Sequence, residues 1–272
     1  MLEGAGGNIG FSVGSDAAFL VDDQFAPLTE RIQAAVAAVT ERPVRFVLNT
    51  HWHGDHTGGN ENLGKAGALI VAHENVRRRM GAEQLIEFLG QLDTVPASPM
   101  DALPVVTFTE AVTFHLNGDE IHALHVRPAH TDGDAVVRFR KANVVHMGDT
   151  FFNRVYPFID LDSGGSVDGM IAVADTVLGM IDGETKVIPG HGPLGDREAL
   201  RTFRDMLADV RDRVREQVEG GASIEDILAS TPTATFDAEW GGGLIKGDDL
   251  VRVIYRDVTG RGPGGAPAGT SR

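Results

Sequence analysis

Apolar and polar positions alternate with two different periods along this chain, and the changes of period mark its elements. Phe11-Ser12-Val13-Gly14 and Ala17-Ala18-Phe19-Leu20-Val21-Asp22 are β-prone runs on either side of Gly14-Ser15-Asp16, which predicts a hairpin. Leu28, Ile32, Ala35, Val36 and Val39 then follow helical spacing, and Pro43 closes that helix before an apolar strand over 44–50. A further strand is predicted over 67–72 and a helix with polar interruptions over 74–89. Residues 105–147 read as several short strands, with Asn117-Gly118-Asp119 as the clearest hairpin turn. Val167, Met170, Ile171, Ala174, Val177, Leu178 and Ile181 form a helix stripe with Ser166 as its N-cap, and Leu200, Phe203, Leu207, Val210 and Val214 form another, too short to favour a coiled coil. A run of strands flanked by helices suits an α/β sandwich of two sheets with helices outside. No internal repeat is visible.

Length and charge narrow the picture. The 272 residues suit one large domain, here 1–258, followed by a Gly-, Pro-, Ser- and Thr-rich stretch over 259–272 that reads as a disordered tail. A net charge of −15 would repel phosphate backbones and anionic membranes, so a small molecule is the expected partner, not nucleic acid or membrane. No cysteine is present, which removes thiolate ligands and leaves the redox compartment open. No signal peptide is visible in the first ten residues, and no apolar run is long enough to span a membrane.

The candidate chemistry lies at the ends of the apolar runs. His51-Trp52-His53-Gly54-Asp55-His56 places four potential ligands in six residues directly after the 44–50 strand. His130, Asp149 and His191 each close another short apolar run. The carboxyl ends of strands in an open α/β sheet line one crevice, so these ends can converge. Seven ligands (His51, His53, Asp55, His56, His130, Asp149 and His191) are too many for one ion and suit two, with a shared carboxylate. A nitrogen-rich, thiol-free set favours two Zn2+, and manganese or iron also fits imidazole and carboxylate.

In this order and in these contexts (Ala-His130-Thr-Asp-Gly-Asp, Met-Gly-Asp149-Thr, Pro-Gly-His191-Gly-Pro) the residues resemble the metal-binding motifs of the metallo-β-lactamase superfamily, over about 7–204. The resemblance implies a four-layer αβ/βα sandwich with the metals at one edge. It implies that His51, His53 and His130 hold one metal, that Asp55, His56 and His191 hold the other, and that Asp149 bridges them. It further implies a hydrolase in which a metal-bridging hydroxide attacks a carbonyl, with Asp55 and Asp149 as catalytic carboxylates. Met1-Leu2-Glu3-Gly4 resembles the end of the superfamily's first strand, so the natural chain is expected to start earlier. A periplasmic location is favoured if a leader has been removed, and a cytoplasmic one otherwise.

Substrate contacts are expected from Trp52 and from the aromatic loop after Asp149, through Phe152, Arg154 and Tyr156, with Arg154 as a clamp for a substrate carboxylate. Gly58-Gly59 is read as serving helix entry and close backbone approach, Arg77-Arg78-Arg79 as a solvated helix face, and Asp132 and Asp134 as outer partners of the ligand imidazoles. His73, His115, His122, His125 and His146 have no ligand partner at a matching spacing and are expected to play no metal role. β-Lactam amides rank first as substrates because the compact chain and aromatic loop resemble the lactamase branch. Asp149 and Phe152 depart from that branch's cysteine and lysine, so a lactonase or a glyoxalase-II-like thioesterase ranks second. A phosphodiesterase ranks third on charge. An iron-dependent oxidoreductase loses ground because His53 stands where diiron members carry glutamate, and a non-enzymatic metal-binding module comes last.

Overall fold

The computed structural model describes residues 1–260. Its elements run β1 (Gly10–Val13), β2 (Ala18–Val21), α1 (Thr29–Ala37), β3 (Val44–Leu48), α2 (Gly54–Thr57), α3 (Asn60–Lys65), β4 (Leu69–His73), α4 (Glu74–Met80), β5 (Gln84–Phe88), β6 (Gln91–Val95) and β7 (Val106–Phe108). There follow β8 (Ala111–Leu116), β9 (Asp119–His125), β10 (Ala135–Phe139), β11 (Val144–His146), α5 (Val167–Met180), β12 (Lys186–Ile188), β13 (Gly195–Asp196), α6 (Arg197–Glu219), α7 (Ile224–Ala229), α8 (Asp237–Trp240) and α9 (Gly247–Thr259).

Two sheets carry the core, in the strand orders β1-β2-β3-β4-β7 and β13-β12-β11-β10-β9-β8. Their facing sides interlock through Phe19, Val21, Leu48 and Val71 from the first and Ile121, Ala123, Ala135 and Val137 from the second. The outer face of the first sheet is covered by Ile32 and Val36 of α1 and Leu63 of α3. On the second sheet, Val136, Val145 and Val187 pack against the stripes of α5, α6 and α9. This is the four-layer αβ/βα sandwich. The expected hairpin at β1 and β2, the turn with positive φ at Asn117 and Gly118, and the Ser166 cap, whose hydroxyl accepts from the Gly169 N–H, are all present.

Three expectations are corrected. The helix over 74–89 stops at Met80; Gln84–Phe88 and Gln91–Val95 pair instead as a hairpin about Leu89 and Gly90, both at positive φ (51° and 76°). Ile86 and Phe88, two residues apart, share a face, so a period of two governs that segment. Arg77-Arg78-Arg79 is not uniformly solvated: Arg79 makes a paired contact with Asp132 and Arg77 donates to the Pro104 carbonyl, while Arg78 stays exposed beside Glu74. Thr259 and Gly260, the first residues of the expected tail, end and cap α9; the remainder of that stretch, 261–272, lies outside the described residues.

Phe203 on α6 is fully buried, with its ring 5.4 Å from Phe151 and 6.1 Å from Trp240, so it ties α6 both to the loop after Asp149 and to α8. Removing a buried aromatic side chain costs roughly 3–5 kcal/mol. Phe203→Ala is therefore expected to lower unfolding stability by that amount in denaturant titration at unchanged slope; a loss below about 1 kcal/mol would show that this layer is not held by that packing.

Candidate metal centre

Strands β9, β11 and β12 run in the same direction in the second sheet, and β3 delivers its own end from the first. Their carboxyl ends bring His130, Asp149, His191 and the segment from His51 to His56 to one edge of the sandwich. Helix α2 starts immediately after His53, and its single turn places Asp55 and His56 on the same patch. Gly58 and Gly59 end α2 and open α3; a Cβ on Gly59 would lie 2.9 Å from the Asp23 carboxyl carbon, so the close approach expected there is real. Gly190 has a similar reason, since a Cβ would reach 1.9 Å from Asp149 Oδ1.

All seven expected ligands come together. One ligand atom each of His51, His53 and His130 lies within 4.8 Å of the others, and the same holds for Asp55, His56 and His191. Asp149 stands between the two triads: its Oδ2 is 4.0 Å from His51 Nε2, 3.6 Å from His130 Nε2 and 3.4 Å from His191 Nε2, while its Oδ1 is 3.0 Å from His56 Nε2.

The outward nitrogens decide what the inward ones can do. His56 Nδ1 meets Asp22 Oδ2 at 2.8 Å, His53 Nε2 meets Asp160 Oδ2 at 2.9 Å, and His130 Nδ1 meets the Phe158 carbonyl at 2.9 Å. Thr50 spends its hydroxyl proton on Asp22, so its oxygen accepts from His51 Nδ1 at 3.1 Å. Each of these four rings thus keeps its proton outside and, when neutral, presents a lone pair inside. His53 Nδ1 and His130 Nε2 face one another at 2.9 Å, and two lone pairs at that distance call for a shared cation. Among the described residues, His51 Nε2 is buried with no hydrogen-bond partner. This donor set fits divalent metal ions.

Electrostatics divide the cluster in the same way. Burial holds His51 well below the usual histidine range and His130 at about 4. Burial also opposes charge on His191 and His56, but Asp149 and Asp55 outweigh it, raising His191 to about 9 and His56 well above its ordinary value. Burial would lift Asp55, yet His56 and His191 hold it at about 2, and His191 and His56 keep the buried Asp149 ionised. The carboxylates therefore demand positive charge between them, and a metal entering there displaces protons.

A cavity of about 570 Å3 opens from this edge. Trp52 lines it, with its ring 4.7 Å from His53 and its Nε1 donating to Ser163. Phe152 stacks on His191 at 5.3 Å, and Tyr156 lies along the wall with its hydroxyl given to Asp237 at 2.9 Å. Arg154 does not join them. It sits at φ 60° and borders a separate depression with Asn153, Pro193 and Trp240. Asp132 and Asp134 do not reach the imidazoles either: Asp132 pairs with Arg79, and Asp134 accepts the backbone N–H groups of His130 and Thr131. Asp22, Thr50 and Asp160 take the role expected of them. Of the other histidines, His73 and His125 stack at 3.7 Å and bind the Thr109 and Asp134 carbonyls, His146 meets the Asn8 carbonyl and His122 the Thr113 hydroxyl.

A family model described as the metallo-beta-lactamase superfamily matches residues 6–211. The chain belongs to that superfamily. It is accordingly a metal-dependent hydrolase. Among curated relatives, it is 27% identical over 213 residues to a hydroxyacylglutathione hydrolase of Nitrosococcus oceani, covering 77% of this chain and 68% of that protein. It is 29% identical over 166 residues to one of Polaromonas sp., covering 61% of this chain and 55% of that one. Among solved structures, a metallo-beta-lactamase from Pontibacter korlensis superposes with TM-score 0.60 at 19% identity over 73% of this chain and 86% of that chain. The sec-alkylsulfatase Pisa1 from Pseudomonas sp. superposes with TM-score 0.66 at 17% identity over 95% of this chain and 48% of that chain. At such identities these two likenesses speak for the fold alone.

Outer partners of metal-bound histidines typically contribute 10- to 100-fold in metal affinity. Asp160→Asn is expected to weaken metal binding by roughly that factor in competition with a chromophoric chelator, while Asp132→Asn leaves it unchanged. Equal affinities for the two variants would remove Asp160 from the site.

Proposed function

We propose that the protein hydrolyses carboxylic thioesters or esters, lactones included, with two zinc ions. The observation that carries this reading is the position of the cluster at the end of a cavity that, among the described residues, is lined by no lysine or arginine. A β-lactam presents a carboxylate beside its amide, and Arg154, the cation expected to receive it, borders a different depression. The β-lactam reading therefore falls to second place. A phosphodiester is disfavoured by the same lack of cations and by the net charge of −15. The hydroxyacylglutathione hydrolases among the relatives support a thioester, although walls lined by no lysine or arginine among the described residues offer nothing to the carboxylates of glutathione itself.

In this reading His51, His53 and His130 hold one ion, Asp55, His56 and His191 hold the other, and Asp149 lies between them. Ions held there would polarise a carbonyl and would lower the pKa of water toward about 7. Asp55 lines the cavity, is ionised, and orients the attacking water by accepting its hydrogen bond and then its proton. Asp160, Asp22 and Thr50 keep the imidazoles turned inward through the cycle. Trp52, Phe152 and Phe158 keep bulk water away from the reacting carbonyl.

Three measurements test this. Purified protein supplied with zinc is expected to hold close to two ions per chain, and a content fixed at one would rule out the pair. In a panel of an aryl thioester, an acyl lactone, a chromogenic cephalosporin and an aryl phosphodiester, with and without chelator, the first two are expected to turn over in a chelator-sensitive way. Asp149→Ala is expected to lower that rate by more than about a thousandfold with the fold retained. Cleavage of the phosphodiester alone would overturn the reading.

A further inference from the structure

We infer that the acyl part of the substrate is an uncharged hydrocarbon chain, and that the β5–β6 hairpin together with Leu244 and Ile245 selects it. This rests on the thioester and ester reading and narrows it. Among the described residues and apart from the cluster residues His53, Asp55, Asp149 and His191, the polar side chains on the cavity wall are already committed: the Tyr156 hydroxyl to Asp237 and Trp52 Nε1 to Ser163. A charged or hydroxylated acyl group entering the cavity away from the cluster would lose water and gain no side-chain partner. A methylene chain loses nothing and buries its surface.

The wall follows a path away from the metal edge. The Phe158 ring lies 5.9 Å from both His53 and His130, and Phe88 of β5 lies edge-on to Phe158 at 5.0 Å. Ile86 and Val95 of the hairpin extend that surface. Ile245, buried at 7%, and Leu244, 68% exposed at the rim, contribute from the segment between α8 and α9. The hairpin pairs with neither large sheet, yet it is fixed in place. The Glu87 N–H donates to Asp162, and Arg256 of α9 contacts Glu87 at 3.2 Å and Asp162 at 3.0 Å. A pre-formed apolar wall anchored in this way measures chain length without having to fold around the chain.

The test uses the zinc-loaded full chain and N-acetylcysteamine thioesters with straight acyl groups of four to ten carbons. Complete burial of one methylene corresponds to about a fourfold gain, so kcat/KM is expected to rise about two- to fourfold per carbon until the cavity is filled. The adipoyl thioester, with its terminal carboxylate, is expected to react at least about tenfold more slowly than the hexanoyl one. Leu244→Glu, at an exposed position, and Phe88→Ala should each flatten the series. A second readout does not depend on turnover: 1-alkanols of rising length, followed by tryptophan fluorescence through Trp52, should bind with a Kd that falls by a similar factor per carbon. Chelator-sensitive hydrolysis with no dependence on chain length, or a preference for adipoyl, overturns the inference and leaves the hydrolytic reading standing. Steep alkanol binding with no turnover of any thioester or ester upholds the wall's chemistry and overturns the hydrolytic reading instead.

Discussion

The site depends on keeping the imidazole protons on the outside. A neutral histidine has one lone pair and one N–H, and only the ring whose N–H is already engaged elsewhere presents its lone pair reliably to a metal. Here Asp22, Asp160, the Phe158 carbonyl and the Thr50 oxygen each engage one outward nitrogen. Asp22 serves two rings, directly at His56 and through Thr50 at His51, and it also accepts the Thr50 backbone N–H at 2.7 Å. It adopts a φ of 64°, a region that costs a non-glycine residue about 1–3 kcal/mol unless its surroundings impose it. Three hydrogen bonds to one buried carboxylate are the imposing interaction.

That arrangement explains why the clustered candidate ligands were legible in the sequence and their supports only partly so. Ligands sit at strand ends, where an apolar run stops at a histidine or aspartate, and this pattern can be read without coordinates. Asp22 obeys the same rule, since it directly follows the apolar strand β2, and attention to carboxylates at every strand end would have found it. Asp160 has no such signal. It sits in a turn 107 residues away from the ring it orients, and only the path of the loop leading into α5 brings it back to His53. Asp132 and Asp134 were attractive because they are close to His130 in sequence, but their carboxylates are used to pair with Arg79 and to shape the loop that carries His130.

The layers were legible wherever one period persisted. Helices α5 and α6 have long stripes, and the Asn117-Gly118 turn has the residues that positive φ requires. The hairpin over 84–95 was not, because Leu85, Ile86 and Phe88 fit a helical stripe nearly as well as an alternating one. What separates the two is the Leu89-Gly90 turn, and a leucine at positive φ is not something composition announces. The helices beyond 219 were also missed, although Leu250, Val251 and Ile254 are buried at helical spacing on α9. The hairpin and the connection between α8 and α9, which those helices hold, build the outer cavity wall, so the least legible parts of the chain are the ones that shape the cavity away from the histidine cluster.

The loop after Asp149 shows how that gap shifts a functional reading. Adjacency in sequence suggests that Phe152, Arg154 and Tyr156, spaced two apart, share one face, and in an extended strand they would. The loop is not extended throughout. Phe151 turns into the core against Phe203, Phe152 stacks on His191, and the Asn153 side chain binds the Pro193 carbonyl. Arg154, at φ 60°, breaks the alternation: Val155 and Tyr156 both line the cavity, while Arg154 borders the separate depression. A single left-handed residue thereby leaves the cavity without the cation that would favour a carboxylate-bearing substrate, and the chemistry of the walls passes to aromatic and aliphatic side chains.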